Sequence, residues 1–87
     1  MNKIFHDIGW DDYIYWQTQD KKTLNKVNDL IKDIERNGYE GKGKPEKLRG
    51  DFSGFWSRRI DEKNRLIYRI NGSVIEIAEC RTHYGEK

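Results

Sequence analysis

The chain has 87 residues, the length of one small domain (residues 1–87) with a single modest core. Charged residues make up 37% of it, but an aromatic content of 13% argues against disorder, because large rings bury much area in a short chain. The single cysteine excludes an intrachain disulfide and a Cys/His zinc site, and the formal net charge is only +2. No apolar run approaches the ~20 residues that span a bilayer. We therefore expect a cytoplasmic protein without membrane association, cofactor or bound metal.

The first predicted elements are a short strand at residues 3–5 and a helix that Asp7 can cap. On this helix Trp10, Tyr13 and Ile14 fall at i, i+3 and i+4, so they share one face. We expect the tryptophans, Trp10, Trp16 and Trp56, to be core or dimer-interface aromatics. The acids that follow Trp10 in the same helix suit the dipole of its early turns and are read as structural.

A second helix follows, which Asp20 can cap and which the Asn37-Gly38 pair ends. Its charged residues fall on the side that faces water. Together the two helices are expected to form an antiparallel hairpin. The apolar stripe of the second helix is Leu24, Val27, Leu30, Ile31 and Ile34.

The second half of the chain changes to a strand pattern. A glycine-rich basic loop covers residues 39–54, within which Leu48 can start a short strand. Apolar alternation and turn signals then predict three strands joined by hairpins, at residues 55–60, 65–70 and 73–81. The order βααβββ predicts an α+β fold: a mostly antiparallel sheet with the two-helix hairpin on one face.

Positive charge is concentrated in the middle of the chain. Residues 41–69 carry nine Lys/Arg and four Asp/Glu, a net charge of +5 within the total of +2. Such a run is most often a solvated face, although it also suits phosphate. Strand alternation puts Ser57 beside Arg59 and Arg65 beside Arg69 on the face that the helices leave open, whereas Arg58 is expected to be solvated or to contact a partner.

Two further residues complete a set that suits RNA cleavage without a metal. Such cleavage needs a base for the 2'-hydroxyl proton, an acid for the leaving 5'-oxygen and fixed cations for the phosphorane charge. Glu46 in the basic loop, His83 near the end of the chain and the strand arginines supply these groups. Taken alone, Glu46 is by default a surface ion pair, and a histidine near a terminus, such as His83, is more often a surface group than a catalytic one.

Five segments also carry a resemblance to a known family. They are Trp10-Asp11-Asp12-Tyr13, Gly41-Lys42-Gly43-Lys44-Pro45-Glu46, Ser53-Gly54-Phe55-Trp56-Ser57-Arg58-Arg59-Ile60, Arg65-Leu66-Ile67-Tyr68, and Cys80-Arg81 through His83-Tyr84. In this order and spacing they resemble the YoeB toxins of the RelE-like superfamily, over nearly the whole chain.

The resemblance implies the toxin of a type II toxin–antitoxin pair. It implies a ribosome-dependent endoribonuclease that cleaves mRNA in the A site of the 70S ribosome, without metal or cofactor. The implied partner is a cognate antitoxin of the YefM/Phd kind, through which the pair contacts operator DNA. The sequence leaves monomer or homodimer open. The alternative function is a non-catalytic RNA- or ribosome-binding translation inhibitor or co-repressor.

Roles for individual residues follow from the same resemblance. Glu46 matches the general base, His83 the general acid, Arg65 the cation that stabilises the phosphorane, and Tyr84 the aromatic residue that helps to place the scissile nucleotide. The family usually ends at or just after the His-Tyr pair, whereas residues 85–87 (Gly-Glu-Lys) follow it here.

Three cations match phosphate-binding positions of the family. Arg59 matches a supporting contact to the phosphate that is cleaved. Lys44 and Arg49, which flank Glu46 in the basic loop, match contacts to the RNA backbone. All three belong to the basic middle of the chain, as RNA binding requires.

Overall fold

A computed structural model of the chain describes residues 1–82. His83, Tyr84 and the tail at 85–87 lie outside the described residues. The α+β prediction is confirmed, with two helices and a mixed five-stranded sheet whose first strand precedes them. The elements are β1 (Asn2–Phe5), α1 (Asp7–Gln19), α2 (Lys21–Asn37), β2 (Glu46–Lys47), a short 3-10 helix (Gly50–Phe52), β3 (Trp56–Arg59), β4 (Arg65–Asn71) and β5 (Val74–Glu79).

The sheet has the strand order β1-β5-β4-β3-β2. β1 runs parallel to β5, and all other pairs are antiparallel. The helices cover the face that carries Leu66, Tyr68, Ile75 and Ile77, all of them fully buried. The opposite face, which we call the open face, carries the alternate residues of the central strands.

The second helix follows its sequence prediction. The Asp20 carboxylate accepts a hydrogen bond from the Thr23 amide at 3.2 Å, which caps the first turn. Gly38 ends the helix with a φ of 64°, a backbone angle that favours glycine. The apolar stripe is buried at Val27, Leu30, Ile31 and Ile34, so local signals alone place this helix against the sheet.

The first helix corrects one prediction. Asp7 is not the cap but the first helical residue, and His6 at the cap position makes no capping hydrogen bond through its side chain. The buried face is that of Gly9, Asp12 and Trp16, whereas Trp10 remains 49% exposed. The reason is close approach, because a Cβ atom on Gly9 would lie 2.5 Å from the carbonyl oxygen of Ile77 in β5.

A bulge in β5 decides which residues reach the open face. Tyr68 pairs with Ile77 and Ile67 pairs with Glu79, so Ala78 is an extra residue on β5. Without the bulge, alternation from Ile77 would turn Glu79 toward the core and the buried Cys80 toward the open face. The bulge therefore delivers a carboxylate to the open face and the thiol to the core.

Candidate active site

One register row crosses four strands of the open face. Glu46 of β2 pairs with Ser57 of β3, Ser57 pairs with Ile67 of β4, and Ile67 pairs with Glu79 of β5. Residues in such a row point to the same side of a sheet. Glu46 therefore lies on the face that the helices leave uncovered, at one end of a row that has a second carboxylate at its other end.

Two arginines lie directly opposite each other beside this row. Arg59 of β3 pairs with Arg65 of β4, and both share the parity of Ser57 and Ile67, as the alternation predicts. Like charges at paired positions repel, so an anion bound between them would relieve the repulsion. The Arg65 guanidinium is held by its own turn, where Nη1 donates to the carbonyl oxygens of Asp61 at 2.8 Å and Asn64 at 3.1 Å.

A groove of about 630 Å³ collects one part of the expected site residues. We call it the open-face groove. Glu46, the expected base, and Arg65, the expected phosphorane cation, both line it, together with Arg49. Thr82, the last described residue before His83, lines it as well. Ser57, Ile67, Glu79 and Arg81 are among its other lining residues.

The remaining phosphate-binding candidates line a neighbouring groove of about 670 Å³ beside α2. We call it the lateral groove. Lys44 and Arg59 belong to it, as do the three lysines 22, 26 and 42. Glu62 lines both grooves, so the two adjoin. The structure thus places Lys44 and Arg59 next to the groove of Glu46 and Arg65 rather than inside it.

The loop that leads into Glu46 is fixed against β3. The carbonyl oxygen of Gly43 accepts a hydrogen bond from the Arg59 amide at 2.7 Å. Within the described residues Lys44 is the only non-glycine residue with a left-handed backbone, at a φ of 51°. Such conformations cost about 1–3 kcal/mol and persist where the surroundings enforce them. Glu46 therefore enters β2 from a constrained segment, even though its side chain is exposed.

Comparison with known proteins identifies the family. Residues 5–84 match the model of the YoeB-like toxin of bacterial type II toxin–antitoxin systems. The chain belongs to this family. Toxin YoeB of Escherichia coli (strain K12) is 52% identical over 84 residues, which cover 97% of this chain and 100% of that protein. The resemblance read from the residues is confirmed.

Solved structures agree with this assignment. A YoeB/ParE toxin from Agrobacterium tumefaciens superposes with a TM-score of 0.91 at 44% identity, covering 97% of this chain and 100% of that one. The toxin in a heterotetrameric YoeB–YefM complex from Staphylococcus aureus gives 0.91 at 46% identity, covering 97% and 98%. YafQ from E. coli, at 17% identity and a TM-score of 0.77, shares the fold.

This YoeB-like toxin also contains a buried arginine that sequence reasoning misread. Arg58 is neither solvated nor a partner contact, since its relative exposure is 0%. A missed signal was its parity with Trp56, which placed it on the core face. All five of its N–H groups find acceptors, which are Tyr68 Oη, Asp33 Oδ2 and the carbonyl oxygens of Gly38, Glu40 and Lys42.

We call Arg58 and its five acceptors the Arg58 hub. The hub joins α2 to the start of the basic loop. Asp33 accepts from Arg58 and also from the Lys42 amide at 3.0 Å. The hydrogen bond from Arg58 has the largest effect on the Asp33 carboxyl and that from the Lys42 amide the next largest. Together they hold the pKa of this carboxyl below its usual range. The hub therefore anchors the chain just before Gly43 and the segment that carries Glu46.

The role of Arg69, which the sequence left ambiguous, is set by an ion pair. Its guanidinium donates to Glu76 on β5 at 2.8 and 3.2 Å and lies 4.8 Å from the centre of the Phe55 ring. His6 lies 3.2 Å from the same carboxylate. Arg69 and then His6 lower the pKa of the Glu76 carboxyl to about 2 from its ordinary 4.5.

Glu76, with its partners Arg69 and His6, is expected to contribute to stability in a pH-dependent way. Because the folded pKa of Glu76 is depressed, its contribution is complete above pH 4.5 and is lost as the pH falls toward 2. Glu76→Gln is expected to lower the urea midpoint at pH 6, and the gap to the wild type should narrow at pH 3. A gap of equal size at both pH values would show that the charge of Glu76 does not contribute.

Metal and membrane candidates are absent from the described part of the chain. Among residues 1–82, no group of His, Cys, Asp and Glu side chains is arranged to hold a metal ion. Neither helix in that range has the length and apolar character needed to cross a bilayer.

Proposed function

We propose that this toxin is a ribosome-dependent endoribonuclease that cleaves mRNA in the A site and so inhibits translation. The observation that carries the proposal is that Glu46, Arg65 and Thr82 line one open groove. A carboxylate, a fixed guanidinium and the chain that leads to His83 thus converge on a space that an RNA strand can enter.

The proposed reaction uses the RNA's own 2'-hydroxyl. Glu46 takes its proton, and the 2'-oxygen attacks the adjacent phosphorus. The bond to the 5'-oxygen breaks, and His83 protonates that leaving oxygen. Arg65 holds the negative charge of the phosphorane between the two steps. The products are a 2',3'-cyclic phosphate and a 5'-hydroxyl, and no metal or cofactor takes part.

The other expected residues bind and orient the message in this proposal. Arg59, opposite Arg65, supports the phosphate that is cleaved. Lys44 in the lateral groove and Arg49 in the open-face groove contact the RNA backbone on either side. Tyr84 helps to place the scissile nucleotide. Both grooves are open, so we propose that the ribosome supplies part of the rate by holding the 2'-hydroxyl in line with the leaving oxygen.

The proposed partner is an antitoxin of the YefM/Phd kind that neutralises the toxin in the cytoplasm. The S. aureus relative whose structure contains YefM is 46% identical to this chain and supports this choice. A YoeB dimer from the same organism, at 46% identity and a TM-score of 0.89, supports a homodimer of the free toxin. Operator DNA is contacted through the antitoxin complex.

Primer extension on programmed 70S ribosomes tests the proposal. We expect the wild type to cut the message in the A-site codon and His83→Ala to leave it intact. An intact message with the wild type, while translation is still inhibited, would instead establish the alternative function, in which the toxin occludes the ribosome without cleaving RNA.

A further inference from the structure

The chain segment at Cys80–Thr82 is held from two sides. On one side, two residues of α1 form hydrogen bonds with the backbone of Cys80. The Cys80 amide donates to Asp12 Oδ2 at 3.0 Å, and the Trp16 indole donates to the Cys80 carbonyl oxygen at 2.7 Å. On the other side, the Thr82 amide donates to Asn64 Oδ1 at 2.9 Å. This second contact is the last one described before His83.

Asn64 also belongs to the turn that holds Arg65. Its backbone carbonyl oxygen accepts from Arg65 Nη1 at 3.1 Å. Its side-chain nitrogen donates to the Asp61 carboxylate at 3.0 and 3.2 Å. The carboxylate only accepts and the Thr82 amide only donates, so the two partners fix which way the Asn64 amide points. Asn64 thus forms hydrogen bonds both with Arg65, the expected phosphorane cation, and with Thr82, the residue before the expected acid His83.

We propose that Asn64 is a positioning residue that acts through His83. Its hydrogen bond to the Thr82 amide fixes the position of the backbone just before His83 relative to the Arg65 guanidinium. This inference rests on the proposed function. Its physical basis is that general acid catalysis needs hydrogen-bond reach to the leaving oxygen, and a displacement of about 1 Å can reduce a rate by about 10²-fold.

A merely structural role of Asn64 would predict a different result. Asn64 itself is half-buried in an otherwise exposed turn, so we expect its replacement to leave the core intact. If it served only to hold the turn, its replacement would disturb Arg65 and slow every substrate alike. If it acts through His83, the defect must depend on how much the leaving group needs a proton.

The test compares two messages in programmed 70S ribosomes under single-turnover conditions. One has the natural 5'-oxygen at the scissile phosphate, and the other has sulfur at that position. A thiol is far more acidic than an alcohol, with a pKa of about 8.5, so sulfur leaves as a thiolate without a general acid. His83→Ala serves as the reference for a lost acid.

We expect Asn64→Ala to slow cleavage of the oxygen substrate by about 10- to 100-fold, which is less than the 10²–10⁴-fold of general acid catalysis because the acid is displaced and not removed, and to leave the sulfur substrate nearly unaffected. Thr82→Pro removes the donor of the same hydrogen bond and restricts the backbone at residues 81 and 82, while every residue of the Asp61–Asn64 turn is kept, and we expect the same leaving-group dependence. Asn71→Ala is the matched control, because Asn71 also donates to a carboxylate, at 3.4 Å from Glu76 Oε2, but does not contact residues 80–82.

The outcomes separate the inference from the proposed function. If sulfur rescues His83→Ala but not Asn64→Ala, the inference is wrong and the acid assignment stands. Full activity of Asn64→Ala on the oxygen substrate would also overturn the inference. If sulfur fails to rescue His83→Ala, the acid assignment falls and the inference falls with it. A urea midpoint near that of the wild type confirms that the variants are folded.

Discussion

Glu46→Gln is expected to slow single-turnover cleavage of ribosome-bound mRNA by about 10²–10⁴-fold, the range of general base catalysis. The amide has the shape of the carboxylate but cannot take the 2'-hydroxyl proton. Glu46 is exposed in β2, so the change leaves the core untouched. We therefore expect the urea midpoint and the affinity for the antitoxin to stay close to those of the wild type.

The matched control for this prediction is Glu62→Gln. Glu62 also lines the open-face groove, but it belongs to the turn between β3 and β4 and is absent from the Glu46 register row. Its replacement is expected to change the cleavage rate by no more than a few-fold. Equal rates for the wild type and Glu46→Gln would show that Glu46 is not the base.

Arg65→Ala is expected to slow single-turnover cleavage by about 10²–10³-fold, because it removes charge stabilisation of the phosphorane rather than the base.

Arg58→Met is expected to lower the free energy of unfolding by about 3–5 kcal/mol, as measured when one partner of a buried ion pair is removed. Methionine fills much of the space but has no N–H groups. The Asp33 carboxylate and three loop carbonyl oxygens then lose their donor together. Urea unfolding at neutral pH measures the change.

Arg59→Met is the control for Arg58→Met, since it removes the same charge one residue further along β3 at an exposed position. We expect its free energy of unfolding to lie within about 0.5 kcal/mol of the wild type, as is usual for surface changes. A similar small loss for both variants would mean that the Arg58 hub contributes little to stability. A large loss for Arg58→Met alone also implies that the basic loop depends on this residue.

Local sequence signals predicted much of the fold. The cap at Asp20, the stop at Gly38 and the apolar stripe of α2 all act within one or two helical turns, so they are visible in the sequence. The hairpin at Asn71-Gly72 is likewise a local signal, and it joins β4 to β5 as expected.

Features that depend on distant partners were not predictable in this way. The buried face of α1 is decided by the approach of Gly9 to the Ile77 carbonyl oxygen, across most of the chain. Arg58 is buried because loop carbonyl oxygens and Asp33 surround it, although an arginine in a strand is usually exposed. The bulge at Ala78 shifts the parity of β5 after an otherwise regular strand.

The candidate site divides in the same manner. Alternation predicted that Arg59 and Arg65 face the same side, and the register agrees. The roles of Glu46, Arg49, Arg65, His83 and Tyr84 stay predictions from the family resemblance. That Lys44 and Arg59 line the lateral groove follows only from the packing of α2 beside the basic loop, which no local pattern encodes.

Cleavage of a message that carries a single 2'-deoxynucleotide on the 5' side of the scissile phosphate is the most direct test of the proposed chemistry. The message is placed in the A site of 70S ribosomes beside an all-ribose control. We expect the control to yield a 2',3'-cyclic phosphate and a 5'-hydroxyl, and the deoxy message to stay intact. Cleavage of the deoxy message at the same bond would contradict attack by the 2'-hydroxyl, and with it the role of Glu46 as its base.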